Sequence, residues 1–451
     1  MKIVVVGVGK VGLKLVETLS KENHEIYVVD TDGKSVNAVV NKYDVMGVVG
    51  SGCERETLLD ATTDKADFFI ACTSRDELNM LCCVLAKKLG AKYAVARVRE
   101  PSYSKEVHSF ADDLGIDMSF NPEYTTATEI SKVLKFPFAT VVEKFSDDKA
   151  DLVEFKIIKG NPIIGMSVMD IAKEYGNNLL FAIVKRGEKV YIPKGDFVIC
   201  EDDFVSVLGT ETEISSFIKK LHLYKRSSKS VFIVGGGMIA FYLAEALSSS
   251  GIEVKIMEKD EDRCSVLGET LPKAVVLCGD GTDKDVLDEE DLKDTDAFVA
   301  LTGMDEENVI VSLYALALKV GKVVTKVDRP SVVSITKNLG LDTVVSPRTV
   351  IANHVLRFVR AHQGSATGEG VDTLYKIDDK AEAIEFAVSE NFPKLGVPIK
   401  NLRIKDGVLI GGIIRDGKFL KAGGDSMFSV GDKVIVISAI KGITDLSGVL
   451  N

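Results

Sequence analysis

The sequence predicts an α/β protein in which two doubly wound parallel-sheet domains stand in tandem, each followed by a small α+β domain. The chain has 451 residues, more than the roughly 250–300 that one hydrophobic core usually supports. Short apolar runs alternate with amphipathic helical patterns, which is typical of parallel sheets joined by helical crossovers. The opening stretch MKIVVVGVGKVG also has a second version, SVFIVGGGMIA, which begins at Ser230.

An internal repeat divides the chain into two halves. An offset of 228 or 229 residues aligns positions of the same chemical type, namely Gly7 with Gly235, Gly9 with Gly237, Asp30 with Glu258, Thr73 with Thr302 and Asn79 with Asn308. The repeat continues into a second kind of segment, since residues 184–209 follow the pattern of residues 413–438. We therefore predict the order A–B–A′–B′, with domains at 1–140, 141–228, 229–368 and 369–451.

Each A unit begins with the elements of a parallel sheet. Residues 10–23 of the first unit are predicted to form an amphipathic helix, because Val11, Leu15 and Leu19 recur near helical spacing. The B units instead contain short alternating strands broken by Gly, Pro and Asp over about 80 residues each, which indicates small α+β modules. The predicted strands of the first A unit are the apolar runs at 3–7, 25–30, 44–50, 66–73 and 93–98.

The first glycine-rich turn has the features of a nucleotide-binding loop. Gly7, Gly9 and Gly12 follow a strand and open a helix, so they can provide a tight turn, close approach of a pyrophosphate and close helix–strand packing. The N-terminus of that helix would receive the phosphates. Asp30 follows Gly7 by 23 residues and would bind ribose hydroxyls, which favours NAD(H) or an adenosine nucleotide over NADP. The alternative is that the glycines serve packing alone.

The second glycine-rich turn is a variant of the first. It keeps the first two glycines and an acid, Glu258, but Ala240 stands in place of the third glycine. Met238 replaces Lys10, so a cation is lost from the phosphate-binding turn. The second site could therefore hold the same nucleotide, a different ligand, or none.

Polar residues after the later strands complete both predicted sites. The matching stretches GSGC and GDGT place Ser51 and Asp280 on the adenine side. Beyond the fourth strand, Thr73 and Thr302 lie where hydroxyl groups can meet ribose or phosphate.

The fifth strand of each A unit ends in a cation. Arg97 and Lys326 occupy this position, at the carboxyl edge where ligands of open α/β sheets bind. For Arg97, a phosphate contact and a structural salt bridge are equally open. Asp76 and Asp305 are interpreted as acids that complement the N-terminal end of a helix dipole.

Composition counts against several other functions. A formal net charge of −11 disfavours nucleic acid as a partner. No apolar run reaches the roughly 18–20 residues of a membrane helix, and the chain opens directly with a strand, so we expect a cytoplasmic protein without membrane insertion.

The seven cysteines have no metal-binding spacing, and CEDD at 200–203 is interpreted as a turn, so no metal site is expected. No catalytic constellation is evident either, which favours binding without turnover.

Several stretches resemble a known family. VVVGVGKVG at 4–12, TSRDELN at 73–79 and VARVREP at 95–101 resemble the RCK-N (KTN) domains that regulate potassium channels and transporters. NPIIGMSVMDI at 161–171 and residues 184–209 resemble the companion RCK-C domain, and the tandem likeness covers nearly all of the chain. The resemblance implies a regulator whose RCK-N domains bind NAD(H) or ATP/ADP. It also implies a homo-oligomeric ring that docks at the inner face of the cell membrane, beneath a K⁺-translocating subunit of the TrkH type.

The resemblance also implies which residues contact the nucleotide. In the first site these are Gly7, Val8, Gly9, Lys10, Val11, Asp30, Thr73, Ser74 and Arg97, to which the sequence pattern adds Gly12 and Ser51. In the second site they are Gly235, Gly236, Gly237, Met238, Ile239, Glu258, Thr302 and Gly303, to which the pattern adds Asp280 and Lys326. Two alternatives stay open at this stage: a regulator of another cation transporter or antiporter, and an NAD-dependent oxidoreductase.

Overall fold

A computed structural model of the chain describes residues 1–101, 103, 111, 113–176, 178–222, 228–363, 370–377 and 380–451. Four sheets follow one another along these residues: six parallel strands, five antiparallel strands, six parallel strands and five antiparallel strands. The predicted fold class is therefore confirmed. The predicted domain boundary at 368 lies outside the described residues.

The first half contains one parallel and one antiparallel sheet. The parallel sheet comprises β1 (Lys2–Val6), β2 (Glu25–Asp30), β3 (Met46–Val49), β4 (Phe68–Ala71), β5 (Tyr93–Arg97) and β6 (Met118–Phe120), with helices α1 (Lys10–Leu19), α2 (Gly33–Val40), α3 (Arg55–Asp60), α4 (Asp76–Leu89) and α5 (Pro122–Lys135). The antiparallel sheet comprises β7 (Ala139–Phe145), β8 (Ala150–Lys156), β9 (Leu180–Arg186), β10 (Lys189–Tyr191) and β11 (Phe204–Gly209), with helices α6 (Val168–Tyr175) and α7 (Glu211–Lys220). The first five strands agree with the predicted runs to within two residues. Strand β6 was not predicted, because three residues are too few to show an apolar pattern.

The second half repeats this plan. Its parallel sheet comprises β12 (Ser230–Val234), β13 (Glu253–Glu258), β14 (Ala274–Cys278), β15 (Ala297–Ala300), β16 (Lys322–Lys326) and β17 (Val344–Val345), with helices α8 (Met238–Ser249), α9 (Glu261–Thr270), α10 (Lys284–Glu289), α11 (Asp305–Ala317), α12 (Pro330–Asn338) and α13 (Pro347–Gln363). Its antiparallel sheet comprises β18 (Val371–Ile377), β19 (Ala381–Ala387), β20 (Val408–Arg415), β21 (Lys418–Lys421) and β22 (Lys433–Ser438).

Strand order fixes where a ligand can bind in the parallel sheets. The orders are β3-β2-β1-β4-β5-β6 and β14-β13-β12-β15-β16-β17. The direction of strand addition reverses beside β1 and beside β12. In open α/β sheets the ligand crevice lies at the carboxyl ends of the strands that flank such a reversal. Both glycine-rich turns follow these two strands.

Two helices cross between the halves. Helix α5 belongs to the first half but packs on α8 of the second, where Ile130 and Leu134 are fully buried. Helix α13 belongs to the second half but packs on α1 of the first, where Ile351 and Val355 are buried against Leu15. Each half therefore supplies part of the other's hydrophobic core.

The two antiparallel sheets also share a core. Phe145 and Leu152 of the first sheet cluster with Ile435 and Ile437 of the second. Between the sheets, Ser146 Oγ donates a hydrogen bond to Glu385 Oε2 on β19 at 2.9 Å. The small domains thus pair within one chain.

A buried charge cluster fastens the crossing helix α13 to both of its neighbours. The fully buried guanidinium of Arg360 donates to Glu382 on β19 at 2.8 and 2.9 Å and to Glu22 beyond α1 at 2.6 and 2.7 Å. Lys376 on β18 also bonds Glu22, at 2.6 Å. Burial raises the pKa of Glu22, but Arg360 and Lys376 lower it below its usual value. The first parallel sheet and the second antiparallel sheet are therefore joined by ionised groups.

Candidate nucleotide-binding sites

Two glycines of the first turn are sterically required. Gly7 has a φ of +91°, and a Cβ there would lie 2.8 Å from the backbone nitrogen of Thr73. A Cβ at Gly12 would lie 1.9 Å from the carbonyl oxygen of Gly7. Any side chain at either position would force the turn and α1 apart.

The middle glycine is not required by packing. A Cβ at Gly9 would have no atom within 4 Å among the described residues. Gly9 is also the N-cap of α1 and has no side chain to cap the first-turn N–H groups. The open space and the helix N-terminus together fit a pyrophosphate.

Asp30 closes the first turn from the end of β2. Its Oδ2 accepts a hydrogen bond from the backbone N–H of Val8 at 2.8 Å, and its Oδ1 accepts one from Asp32 N–H at 2.9 Å. The carboxylate is half-buried beside the turn. This is the position at which ribose hydroxyls are bound in dinucleotide sites.

The loop after β4 is held by a buried asparagine. Asn79 Oδ1 accepts from the N–H and the hydroxyl of Thr73 at 2.8 and 2.7 Å. Its Nδ2 donates to the carbonyl oxygens of Thr73 and Arg97 at 3.2 and 3.0 Å. The Arg97 guanidinium in turn donates to the Thr73 carbonyl at 3.2 Å. Thr73 and Arg97 are thus brought together at the edge of the sheet, as their positions after adjacent strands predict.

The second turn repeats this geometry with side chains of different size, a smaller one in the turn and a longer one at the acidic position. Gly235 has a φ of +99°, and the space beside Gly237 is as open as that beside Gly9. Gly236 stands where the first turn has the buried Val8, and Glu258 fills the gap with its longer side chain. Its Oε2 accepts from the Gly236 N–H at 2.6 Å. The second turn therefore keeps the open space beside its middle glycine.

The second loop is organised by Asn308 in the same way. Its Oδ1 accepts from Thr302 N–H at 2.7 Å, and its Nδ2 donates to the carbonyls of Thr302 and Lys326 at 3.2 and 3.1 Å. The Lys326 ammonium donates to the Thr302 carbonyl at 2.8 Å. The repeat aligned Asn79 with Asn308, but no motif assigned them a role, so sequence reasoning missed both as site residues.

The remaining predicted residues fall into two groups. The apolar ones, Val8, Val11 and Ile239, pack towards hydrophobic clusters, so only their backbone groups face the turns. Ser74 and Gly303 are exposed on the loops, whereas Met238 is the half-buried first residue of α8. Ser51 and Asp280 each accept a hydrogen bond within their own loop, from Cys53 N–H and Thr282 N–H.

Asp76 and Asp305 do more than complement a helix dipole. Each lies in the first turn of its helix, as predicted. Asp76 Oδ2 also accepts from the N–H groups of Arg99 and Glu100 at 2.7 and 2.8 Å. Asp305 Oδ2 likewise accepts from the N–H groups of Asp328 and Arg329 at 3.1 and 2.9 Å. Both acids therefore fix the chain beyond the fifth strand.

Polar and charged groups of the two halves interact near the glycine-rich turns. Burial lowers the pKa of Lys326, and the positive charge of Lys10 in the first turn lowers it further. On the other side, the Tyr242 hydroxyl of α8 contacts Asn121 Nδ2 at 3.1 Å and the Arg99 carbonyl at 3.3 Å. The helix that opens each turn thus contacts the opposite half of the molecule.

The acidic stretch at 200–203 forms a turn before β11. Asp203 accepts from Arg186 at 2.7 and 2.8 Å, and Arg415 binds Asp432 in the same way in the second half. Within the described ranges, no group of three or more His, Cys, Asp or Glu side chains is arranged to hold a metal ion. No helix of those ranges is long and apolar enough to cross a membrane.

Comparison with known proteins identifies both kinds of domain. The family model described as TrkA-N domain matches residues 3–122 and 231–347, and the one described as TrkA-C domain matches residues 152–222 and 383–450. The Trk system potassium uptake protein TrkA of Halomonas elongata is 32% identical over 97% of this chain and 95% of its own length. The TrkA homolog 1 of Methanosarcina mazei is 30% identical over 97% of both chains.

Solved structures show the same fold. The GsuK channel bound to NAD is 18% identical, with a TM-score of 0.64 over 97% of this chain and 76% of that one. GsuK bound to ADP is 16% identical, with a TM-score of 0.51 over 80% and 69% of the two chains.

Proposed function

The chain belongs to the TrkA family, and from that membership we propose that it is a peripheral regulatory subunit that binds NAD(H) or ATP/ADP and gates a membrane potassium transporter of the TrkH type. One observation carries the nucleotide-binding part. Gly9 and Gly237 face open space in turns whose first glycines are sterically required. A glycine that packing does not need, at a helix N-terminus, fits a bound pyrophosphate.

The relatives support regulation of potassium transport rather than redox catalysis. The relatives compared above are named as Trk system potassium uptake proteins. The structures that share the fold belong to a channel bound to NAD in one case and to ADP in another. We therefore propose that the nucleotide acts as an effector and that the chain lies at the inner face of the membrane, next to the transporter.

Exposed apolar side chains support assembly into a homo-oligomeric ring. Leu81 on α4 and Ile310 on α11 occupy equivalent positions and are 49% and 64% exposed. Helix α12, which contacts α11, exposes Ile335, and Leu339 directly after it is exposed as well. Single exposed apolar residues are common on protein surfaces, but the same helix position exposed twice favours a repeated contact between copies.

We propose that gating works by a shift between ring geometries. Helices α1 and α8 begin at the nucleotide turns and pack on the crossing helices α13 and α5. A nucleotide that binds one arrangement of these helices more tightly favours it by its differential affinity. Lys10, in the first turn, and Arg97, at the end of β5, are the cations that we propose sense the phosphate chain.

Calorimetric titration of NADH, ATP and ADP tests the binding sites. Gly9→Ala and Gly237→Ala are matched variants, because the added methyl meets no atom of the described chain. A methyl group forced into space that the pyrophosphate fills should cost about 1–3 kcal/mol, or roughly ten- to hundredfold in affinity. Each variant should lose one site and keep its melting temperature. Unchanged binding in both variants would exclude these turns as nucleotide sites.

Potassium flux tests the gating step. A TrkH-type subunit in proteoliposomes should respond to this protein in a nucleotide-dependent way, and the Gly9→Ala variant should lose that response. If the wild-type protein binds nucleotide but leaves flux unchanged at every nucleotide concentration, the transporter assignment is wrong.

A further inference from the structure

A second cation approaches the second glycine-rich turn from outside the motif. Arg263 lies on α9, five residues after Glu258. Its Nε donates to the carbonyl oxygen of Gly236 at 2.7 Å, and its NH2 group lies 3.7 Å from the sulfur of Met238. Its side chain therefore crosses from α9 onto the turn and is half-buried there.

The guanidinium and the acidic ribose acceptor are bound to the same residue. Gly236 donates its N–H to Glu258 Oε2 at 2.6 Å and accepts from Arg263 Nε at 2.7 Å. Glu258 Oε1 is taken by the N–H groups of Lys259 and Asp260 at 2.8 and 3.0 Å. Within the described chain, Arg263 and Glu258 form no ion pair. The carboxylate is thus engaged by backbone, and the guanidinium contacts the carbonyl of the same glycine.

The first site has no equivalent cation. Ser35 occupies the matching position, and its hydroxyl donates to Asp32 at 2.6 Å in the cap of α2. The cation of the first turn is Lys10, at the position that Met238 fills in the second. Besides Arg97 and Lys326 at the ends of the fifth strands, the two sites therefore hold a further cation in different places: Lys10 belongs to the first turn itself, and Arg263 reaches the second turn from the helix that follows the ribose acceptor.

We propose that Arg263 determines the specificity of the second site and makes it a site for an adenine dinucleotide with a phosphate on the 2′-hydroxyl of the adenosine ribose. In dinucleotide sites, an arginine near the ribose acceptor accommodates a 2′-phosphate. A guanidinium offers five N–H donors in a planar fork that matches phosphate oxygens. In the described part of the chain, only its Nε and NH2 have acceptors, so NH1 remains for a ligand.

This specificity differs from the one that the acidic residue alone predicts. Glu258 by itself disfavours a 2′-phosphate through charge repulsion, as Asp30 does in the first site. Arg263 adds a positive charge on the helix that follows Glu258, and the first site has Ser35 at that position. The inference rests on the proposal that both turns bind nucleotides, and it assigns them different ligands.

Calorimetry with NADH and NADPH on the Gly9→Ala background, where only the second site is open, tests the assignment. Arg263→Gln should weaken NADPH binding by about ten- to hundredfold, the usual effect of losing a hydrogen bond to a charged group, and change NADH binding by less than about threefold. Intact NADH binding also shows that the variant is folded. Arg263→Lys, which keeps the charge but not the fork, should give an intermediate loss.

Three results would overturn the inference. They are equal losses for NADH and NADPH, no loss for either, or a loss confined to ATP relative to ADP, which would place Arg263 at the phosphate chain. If the wild-type protein binds none of the nucleotides, the proposed function itself fails. If NADH binds without any preference that depends on residue 263, only the specificity assignment fails.

Discussion

Glu382 and Asp151 occupy the same position in the two antiparallel sheets, as the second residues of β19 and β8. Both are at least 98% buried. Glu382 is bound by Arg360 at 2.8 Å. No donor of the described chain reaches Asp151 Oδ1, and burial raises the pKa of Asp151 to about 6.

The source of the difference is the crossing helix. Arg360 stands thirteen residues after the first residue of α13, and Lys135 stands at the same place in α5, where it is exposed. The residue before Asn23 in the first half, Glu22, has Ser250 as its counterpart. The repeat thus preserves backbone positions, but the residues that pair with a buried carboxylate differ between the two halves. The nucleotide turns show the same behaviour, with Lys10 in one and Arg263 in the other.

Replacing Arg360 should change the free energy of unfolding more than any other substitution considered below. Arg360→Met leaves Glu22 and Glu382 buried without their main partner, and breaking a buried pair costs about 3–5 kcal/mol. The free energy of unfolding from urea titrations should fall by that amount. Lys400→Met is the control, because its pair with Asp425 is 59% and 88% exposed, and such pairs contribute about 1 kcal/mol at most. A loss no larger than that of the control would show that the cluster does not stabilise the fold.

Neutralising Asp151 should change stability in the opposite direction. Because its pKa is raised in the folded chain to about 6, above roughly 3.9 when unfolded, the folded state binds the proton more tightly. Its contribution to stability therefore falls as pH rises from about 4 to about 6 and stays low above that range. Asp151→Asn should be more stable than wild type by about 2–3 kcal/mol at pH 8 and equal to it near pH 4.

Glu382→Gln is the matched comparison for Asp151→Asn. It should be destabilising at pH 8, because it weakens a satisfied pair instead of removing an unsatisfied charge. Urea titrations at pH 4, 6 and 8 measure both variants. The same sign for the two variants at pH 8 would contradict the contrast between the halves.

The smallest expected effect lies at the contact between α8 and α5. Tyr242→Phe removes the hydroxyl that contacts Asn121 and the Arg99 carbonyl, at a cost of about 0.5–1.5 kcal/mol. Its counterpart in α1 is Lys14, whose partner is Glu17 of the same helix. Lys14→Met should change stability by less than about 0.5 kcal/mol. Equal effects would mean that the hydroxyl does not join the two halves.

Local patterns predict the parallel sheets well, and contacts between distant segments poorly. Buried strands followed by glycines mark β1 and β12, and β2 has the bounds predicted for it, 25–30. The apolar face of α5 indicates burial, but periodicity does not say that its partner is α8. Arg263 was not predicted as a site residue, because the motif specifies the acid at position 258 and no cation on the helix that follows it. The nucleotide contacts and the domain boundaries stay predictions.

The exchange of α5 and α13 makes the order of synthesis matter. Helix α13 is made after α1, α5 and α8, so the face of α1 that contains Leu15 lacks its partner until then. Helix α5 is made before its partner α8, and roughly 100 residues separate its end from the start of α8. During that interval Ile130 and Leu134 are exposed on the nascent chain, and exposed apolar surface of this kind promotes aggregation. The first half of this protein therefore depends on helices α8 and α13 of its second half to complete its folding.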